Sequence, residues 1–304
     1  MVNIPNAFTA FAKVNFSLDI TGKRDDGYHN LDTVACLIDL YNLVKVSKSS
    51  LPSSGYSLTF SQSIKRIYGK ELAEIDFKKA ALKLAEEIRS NYKIPAVNIE
   101  VEVNIPFGVG LGGSSADAGA VAYLMGRLFN IAEIDEQILR SAGADVPFFY
   151  HSYCSSGAKR VQEIGSVKDS LPYKQLYIAL AWTKTNANTA DIFAGFEASK
   201  KVAHINIDRV ASYFAGKTRL EHLQLSNALE DSALRHSPNI ARSKQCLLDA
   251  GFSKVVMTGA GSGFIGIEED KTAFAQKYNI LQDIAASNIQ IGAYKTINNR
   301  GENG

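Results

Sequence analysis

Strict alternation of apolar and polar positions marks the first clear element of the chain. Val97, Ile99, Val101, Val103 and Ile105 alternate with Asn98, Glu100, Glu102 and Asn104. That period of two predicts a strand with one apolar and one polar face. Residues 8–20 repeat the pattern, with Val14, Phe16, Leu18 and Ile20 set against Lys13, Asn15, Ser17 and Asp19. Thr33–Leu40 and Leu43–Val46 read as two strands separated by a turn at Tyr41-Asn42. A loop over 47–55 then leads to a short strand, Tyr56–Phe60. Ala80, Ala81, Leu84, Ala85 and Ile88 keep helical spacing and predict a helix over about 71–91. Val121, Leu124, Met125, Leu128 and Phe129 form the buried stripe of a second helix, and a short third one is expected at about 134–141. Composition shifts around Gly157–Pro172, which reads as a junction between domains 1–162 and 163–304. Beyond it, Leu176–Trp182 is an apolar run suited to a buried strand. Helical patterns recur near 206–215, 227–235, 239–250 and 270–278, with strands at Val255–Thr258, Phe264–Ile267 and 289–296. Strands and helices mix without a regular βα repeat, so the expected class is α+β in both halves.

Between the alternating strand and the second helix lies Pro106-Phe-Gly-Val-Gly-Leu-Gly-Gly-Ser-Ser-Ala-Asp-Ala-Gly-Ala120. Glycines let the backbone take positive φ and let amides approach a bound group closely. Ser114 or Ser115 can cap the helix, whose first amides and dipole favour an anion. Glycines, cap and helix start in that order suit phosphate, whereas a plain turn needs only one or two glycines. The stretch is not a Walker A loop, because Gly-x-x-x-x-Gly-Lys-Ser/Thr occurs nowhere in the chain. Gly108, Gly110 and Gly113 fit Gly-x-Gly-x-x-Gly, with Glu133 about 20 residues on. The preceding strand has only one apolar face, however, unlike the central parallel strand of a dinucleotide fold. A second such match, Gly261, Gly263 and Gly266, runs into a strand and not a helix.

Composition narrows the class further. The 304 residues, 46% hydrophobic, can bury a substantial core. A formal net charge of +2 without a basic run points to neither nucleic acid nor an acidic partner. Cys36, Cys154 and Cys246 form no CxxC pair and no metal spacing, which suits ordinary buried thiols in a reducing compartment. No signal-peptide pattern opens the sequence, and no run approaches ~18 apolar residues. A soluble cytoplasmic protein, without a membrane partner, is expected.

Three polar candidates stand out by context. Lys13, on its strand alone, reads as a solvated surface lysine. Tyr28-His29 closes a charged, glycine-bracketed loop at 22–29, where an aromatic and a histidine serve equally for stacking on a flat ring or for packing. Asp145, between Gly143 and Pro147, either caps a helix or works in a site.

Taken together, Ala-Lys-Val-Asn-Phe at 12–16, Gly-Lys-Arg-Asp-Asp-Gly-Tyr-His at 22–29, the loop at 106–118 and Gly-Ala-Asp-Val-Pro at 143–147 resemble the GHMP small-molecule kinases. Thr-Gly-Ala-Gly-Ser-Gly at 258–263 fits the third motif of that family. The likeness implies a ribosomal protein S5 domain 2-like N-terminal domain and a ferredoxin-like C-terminal domain. It implies ATP and Mg²⁺ as cofactors, and a monomer or homodimer. Lys13 and Asp145 become the implied catalytic pair. Pro106, Gly108, Gly110, Leu111, Gly112, Gly113, Ser114, Ser115 and Ala116 would hold the ATP phosphates, with Ser115 also approaching the metal. Gly259, Gly261 and Ser262 form the second glycine loop. The Gly-Tyr-His segment resembles the branch of the family that phosphorylates the 2-hydroxyl of 4-diphosphocytidyl-2-C-methyl-D-erythritol, on the non-mevalonate route to isoprenoids. There Tyr28 and Phe193 match a cytosine sandwich, His29 its edge contact, Asn15 a contact near the erythritol and Thr189 one near the diphosphate. The rival readings are a kinase of homoserine, mevalonate or a sugar, and a non-catalytic ligand-sensing protein on the same fold. Departures from the family pattern are Ser114 for a third glycine, Ile75-Asp76, Asn227-Ala228 and Arg160-Val161-Gln162.

Overall fold

The computed structural model describes residues 7–25, 27, 29–74, 79–155, 157–163, 165–184, 189–199 and 205–298. Tyr28 and the Ile75-Asp76 departure lie outside them. The chain opens with β1 (Phe8–Lys23), β2 (His29–Lys48), β3 (Gly55–Phe60), α1 (Gln62–Tyr68), α2 (Lys79–Tyr92), β4 (Val97–Val103) and α3 (Gly113–Phe129). It continues through α4 (Glu136–Ala142), α5 (Val146–Cys154), β5 (Ala158–Glu163) and β6 (Ser166–Ser170). Six strands make one sheet in the order β3-β4-β2-β5-β6, with β1 paired to β2 off this path. The β3–β4 pair is parallel and the remaining pairs are antiparallel.

The second sheet has the order β10-β7-β9-β8 and is antiparallel throughout. It is built from β7 (Tyr177–Thr183), α6 (Thr189–Ser199), α7 (Ile207–Phe214), α8 (Glu230–His236), α9 (Ala241–Asp249), β8 (Val255–Met257), β9 (Phe264–Glu268), α10 (Lys271–Ile284) and β10 (Ile289–Lys295). Counted within this half the strands run 4-1-3-2, the ferredoxin-like arrangement. The first sheet ends at Ser170 and the second begins at Tyr177, so a division after Gln162 falls inside β5.

Burial explains how the halves meet. Phe8 and Ala10 of β1 join α2, α3 and α5 in one core. Ala12, Val14 and Phe16 instead pack with Ile178, Leu180, Val256 and Ile265 of the second sheet. One strand therefore serves both cores, and its polar alternate positions are enclosed as well. Lys13 is 4% exposed, which corrects the surface expectation: its face of the strand is covered by loops from both halves and not by water.

Two further expectations change. No turn interrupts 33–46, since β2 runs unbroken and Tyr41 and Asn42 pair with Phe11 and Ala10 of β1. Cys36 and Cys246 are buried free thiols, but Cys154 is exposed at the end of α5. Among the described residues, no helix is long and apolar enough to cross a membrane.

Candidate active site

A cavity of about 460 Å³ lies between the first sheet and the helix α6 and second glycine loop of the other half. Its wall includes Lys13 and Asn15 from β1, residues 105–115 of the first glycine loop, Asp145, and Gly259–Gly261 of the second loop. Thr189 and Phe193 of α6 close its other end.

The first glycine loop is held by its carbonyls. Gly108 O accepts from Ser262 N at 2.9 Å, Val109 O from Gly263 N at 3.1 Å, and Leu111 O from Lys13 N at 3.0 Å. No hydrogen bond among the described residues uses an amide of Gly108–Ser115 as donor. Carbonyls anchored behind and amides unclaimed in front are what an anion-binding loop requires. Gly110 shows why the approach is so close: at φ +82°, an added Cβ would lie 2.0 Å from the Thr258 carbonyl oxygen.

The serine cap expected at 114 or 115 is not formed. The cap of α3 is Gly112, left-handed at φ 72°, which has no side-chain oxygen to offer. The first intrahelical bond runs from Ala116 N to Gly112 O at 2.8 Å. Ser114 and Ser115 sit inside the first turn, so their hydroxyls are not consumed in capping. Ser115 Oγ lies on the side facing Gly143, two residues before Asp145.

Lys13 and Asp145 meet across the cavity. The Lys13 ammonium lies 3.5 Å from Asp145 Oδ2, with the lysine side chain 5% exposed and the carboxylate 42%. Asp145 starts α5 but makes no side-chain cap bond. Of its two readings, capping therefore falls, and the carboxylate reaches into the cavity beside the lysine. Lys13 also donates to Asn15 Oδ1 at 2.7 Å. Asn15 Oδ1 accepts from Gly259 N at 3.0 Å, and its Nδ2 donates to Thr33 Oγ1 at 2.9 Å. Asn15 thus aims Lys13 and ties β1 to the second glycine loop, with both ends of its amide engaged by protein. Ser262, 2% exposed, has its hydroxyl 3.2 Å from Gly108 O and 3.0 Å from Thr183 O. It buttresses the first loop and does not face the cavity.

At the far end His29 stacks on Phe193, ring centroids 5.0 Å apart and planes at 26°. Phe196, one turn further along α6, meets the His29 ring edge-on at 6.3 Å. Sequence reasoning missed this residue, although a second aromatic at i+3 from Phe193 was a readable signal.

Other contributors were not among the expected site residues. Asn227 donates to Met257 O at 2.9 Å and Gly259 O at 2.8 Å, fixing both ends of the turn into the second loop. Gly165, at φ +72°, abuts the residue before Asp145: an added Cβ would come within 1.7 Å of Ala144 O. Arg160 grips Asp32 through two bonds of 3.0 and 2.7 Å and reaches Asp208 of α7 at 2.5 Å. In the sequence it stands out only as a departure from the family pattern, whereas the fold makes it a clamp between the halves. Asp117 of α3, 4% exposed, lines the cavity. Burial pushes its carboxyl up to about 7 against the opposing pull of a hydrogen bond from Asn42.

The GHMP kinases N terminal domain family matches residues 76–153. The matched segment holds the first glycine loop and Asp145, and with the relatives that follow it puts the chain among the ATP-dependent small-molecule kinases. A 4-diphosphocytidyl-2-C-methyl-D-erythritol kinase from Clostridium botulinum (strain Alaska E43 / Type E3) is 30% identical over 282 residues, covering 90% of this chain and 95% of that protein. The solved structure of a 4-(cytidine 5'-diphospho)-2C-methyl-D-erythritol kinase superposes with a TM-score of 0.70 at 24% identity, covering 95% of this chain and 98% of that one. A homoserine kinase from Cytophaga hutchinsonii reaches 0.68 at 17% identity, covering 99% and 98%, which reflects the shared fold alone. The chain belongs to the family of the 4-diphosphocytidyl-2-C-methyl-D-erythritol kinases.

Proposed function

We propose that the protein transfers the γ-phosphoryl group of ATP to the 2-hydroxyl of 4-diphosphocytidyl-2-C-methyl-D-erythritol. The observation that carries this reading is the Lys13–Asp145 pair, 3.5 Å apart in a cavity walled by the first glycine loop. Unclaimed amides of that loop and of the first turn of α3 are suited to the ATP phosphates, where fixed dipoles need no reorganisation during reaction. Asp145 is suited to orient the acceptor hydroxyl and take its proton. The hydroxyl oxygen forms the new bond to the γ-phosphorus, the β–γ bridging bond breaks, and its electron pair leaves on ADP. Little proton removal is needed until late in a loose phosphoryl-transfer transition state. Lys13 supplies positive charge beside the transferring group, held in line by Asn15.

Among the described residues, no group of three His, Cys, Asp or Glu is placed to hold a metal. The oxygen donors at hand, the Ser115 hydroxyl and the partly exposed Asp145 carboxylate, fit a magnesium ion completed by phosphate oxygens and water. Bound there, magnesium would supply neutralisation of phosphate charge, with Ser115 as its first protein ligand.

Phe193 and His29 at the other end favour a substrate bearing a flat base over homoserine, mevalonate or a sugar, which offer nothing to stack. ADP release with Mg²⁺-ATP tests the assignment, with 4-diphosphocytidyl-2-C-methyl-D-erythritol, the same alcohol without its cytidylyl group, and homoserine as parallel acceptors. Turnover of the cytidine compound alone is expected. Turnover of homoserine would discard the base-recognition end, and turnover of none despite ATP binding would leave a sensing protein.

A further inference from the structure

We propose that Asn42 and Asp117 form a staple across the mouth of the first glycine loop and act as positioning residues for the ATP phosphates. This rests on the kinase reading above. Asn42 Oδ1 accepts from Asn104 N at 2.8 Å and from Ile105 N at 2.9 Å, the two residues that enter the loop. Its Nδ2 donates to Asp117 Oδ1 at 2.9 Å, on the second turn of α3, the helix that leaves the loop. One side chain of β2 therefore joins the strand end that enters the loop to the helix that leaves it, 62 and 75 residues from Asn42 in sequence. Asn42 is 1% exposed and Asp117 4%, so water does not compete for these bonds.

A loop with left-handed glycines at 108, 110 and 112 has little stiffness of its own. Its middle is held through carbonyls by the second glycine loop and by β1. Those contacts fix where the loop lies, and the staple fixes the span between its ends. That span sets the angle between the loop amides and the amides that open α3. Phosphate recognition from both sets at once depends on this angle, so a loosened staple weakens ATP and leaves the acceptor alcohol, bound on the Phe193 side, unaffected.

The test is ATP affinity by calorimetry for five proteins, with thermal melting as a folding control and KM for the acceptor measured alongside. They are the wild type, Asp117→Ala, Asp117→Asn, Asn42→Asp, and the exchanged pair Asn42→Asp with Asp117→Asn. Asp117→Ala leaves the Asn42 amide without its acceptor, and ATP binding should weaken about tenfold with no change in KM for the alcohol. Asp117→Asn keeps the acceptor oxygen and should bind ATP within about twofold of wild type. Asn42→Asp sets two carboxyls against each other and should weaken ATP binding. The exchanged pair restores all three bonds and should recover it: the carboxylate placed on β2 accepts from the two loop amides and from the side-chain amide placed on α3.

Folded Asp117→Ala that binds ATP like wild type would overturn the proposal, as would an exchanged pair no better than Asn42→Asp. Should Asp117→Ala fail to fold, the exchange carries the test unchanged. A wild type that binds ATP but phosphorylates no acceptor would refute the kinase reading, while the affinities still judge the staple. A wild type that does not bind ATP would refute both.

Discussion

Replacing Asp117 by asparagine should change how stability depends on pH, and the structure sets both sign and size. The carboxyl is buried on α3, and burial raises it from 3.8 to about 7, opposed by the bond from Asn42. In the unfolded chain it titrates near its ordinary value, about 3.9. Between about pH 4 and pH 7 the folded protein therefore holds a proton that the unfolded chain has released. Stability falls with rising pH wherever the native state binds more protons. The contribution is fully present below about pH 4, is lost as pH climbs through 7, and is flat above. About three pH units at roughly 1.4 kcal/mol each set a ceiling near 4 kcal/mol. The substituted amide keeps the shape and the acceptor oxygen but has no proton to exchange. Urea unfolding of wild type and variant, every half unit from pH 4.5 to 8, isolates the effect, because all other groups cancel in the difference. The variant should gain on the wild type as pH rises and the gain should level off above about 7. A difference independent of pH, or one that favours the wild type at high pH, would refute the reasoning.

Four other outcomes are expected. Asp145→Asn should lower kcat by about 10²–10⁴-fold, as loss of a positioned proton acceptor does, with ATP affinity within about twofold by calorimetry. Gly110→Ala drives a methyl group into the Thr258 carbonyl at a left-handed position, so ATP affinity should drop at least about tenfold. Arg160→Ala leaves the buried Asp32 carboxylate without its guanidinium, and chemical unfolding should register a loss of about 3–5 kcal/mol. Phe193→Ala should raise KM for the cytidine substrate by roughly 10–100-fold, the range of one lost base–aromatic stack, and leave KM for ATP unchanged.

How much of this could be read from the chain depends on whether a residue's role is local. The strand at 97–105, the helix after the glycine loop and most of the second half follow from periodicity, because each has a face that must be buried. α1 went unread because its short span buries only Ile64 and Tyr68 and shows no full period. Tyr41-Asn42 reads as a turn since asparagine favours turns. The structure uses it in a central strand because its side chain, not its backbone, has the work there. Lys13 shows the same limit. Alternation puts it on the polar face, but only the fold reveals that this face is roofed by loops from residues 111 and 258–259. Glycine-rich segments, by contrast, are legible because close backbone approach leaves few other residues possible.

The service of β1 to both halves has a consequence for how the protein comes apart. Besides its pairing with β2, this strand donates from Leu18 N to Ser226 O at 3.0 Å and accepts at Leu18 O from Ala228 N at 2.8 Å. Its Lys13 and Asn15 join residues 111 and 259, and its apolar positions fill the core of the second sheet. Neither half can melt without stripping partners from a strand the other half requires. Unfolding should thus be a single cooperative transition despite two sheets and 304 residues. A fragment ending at residue 162 would carry an open strand edge and a bare apolar face, and should aggregate instead of folding alone.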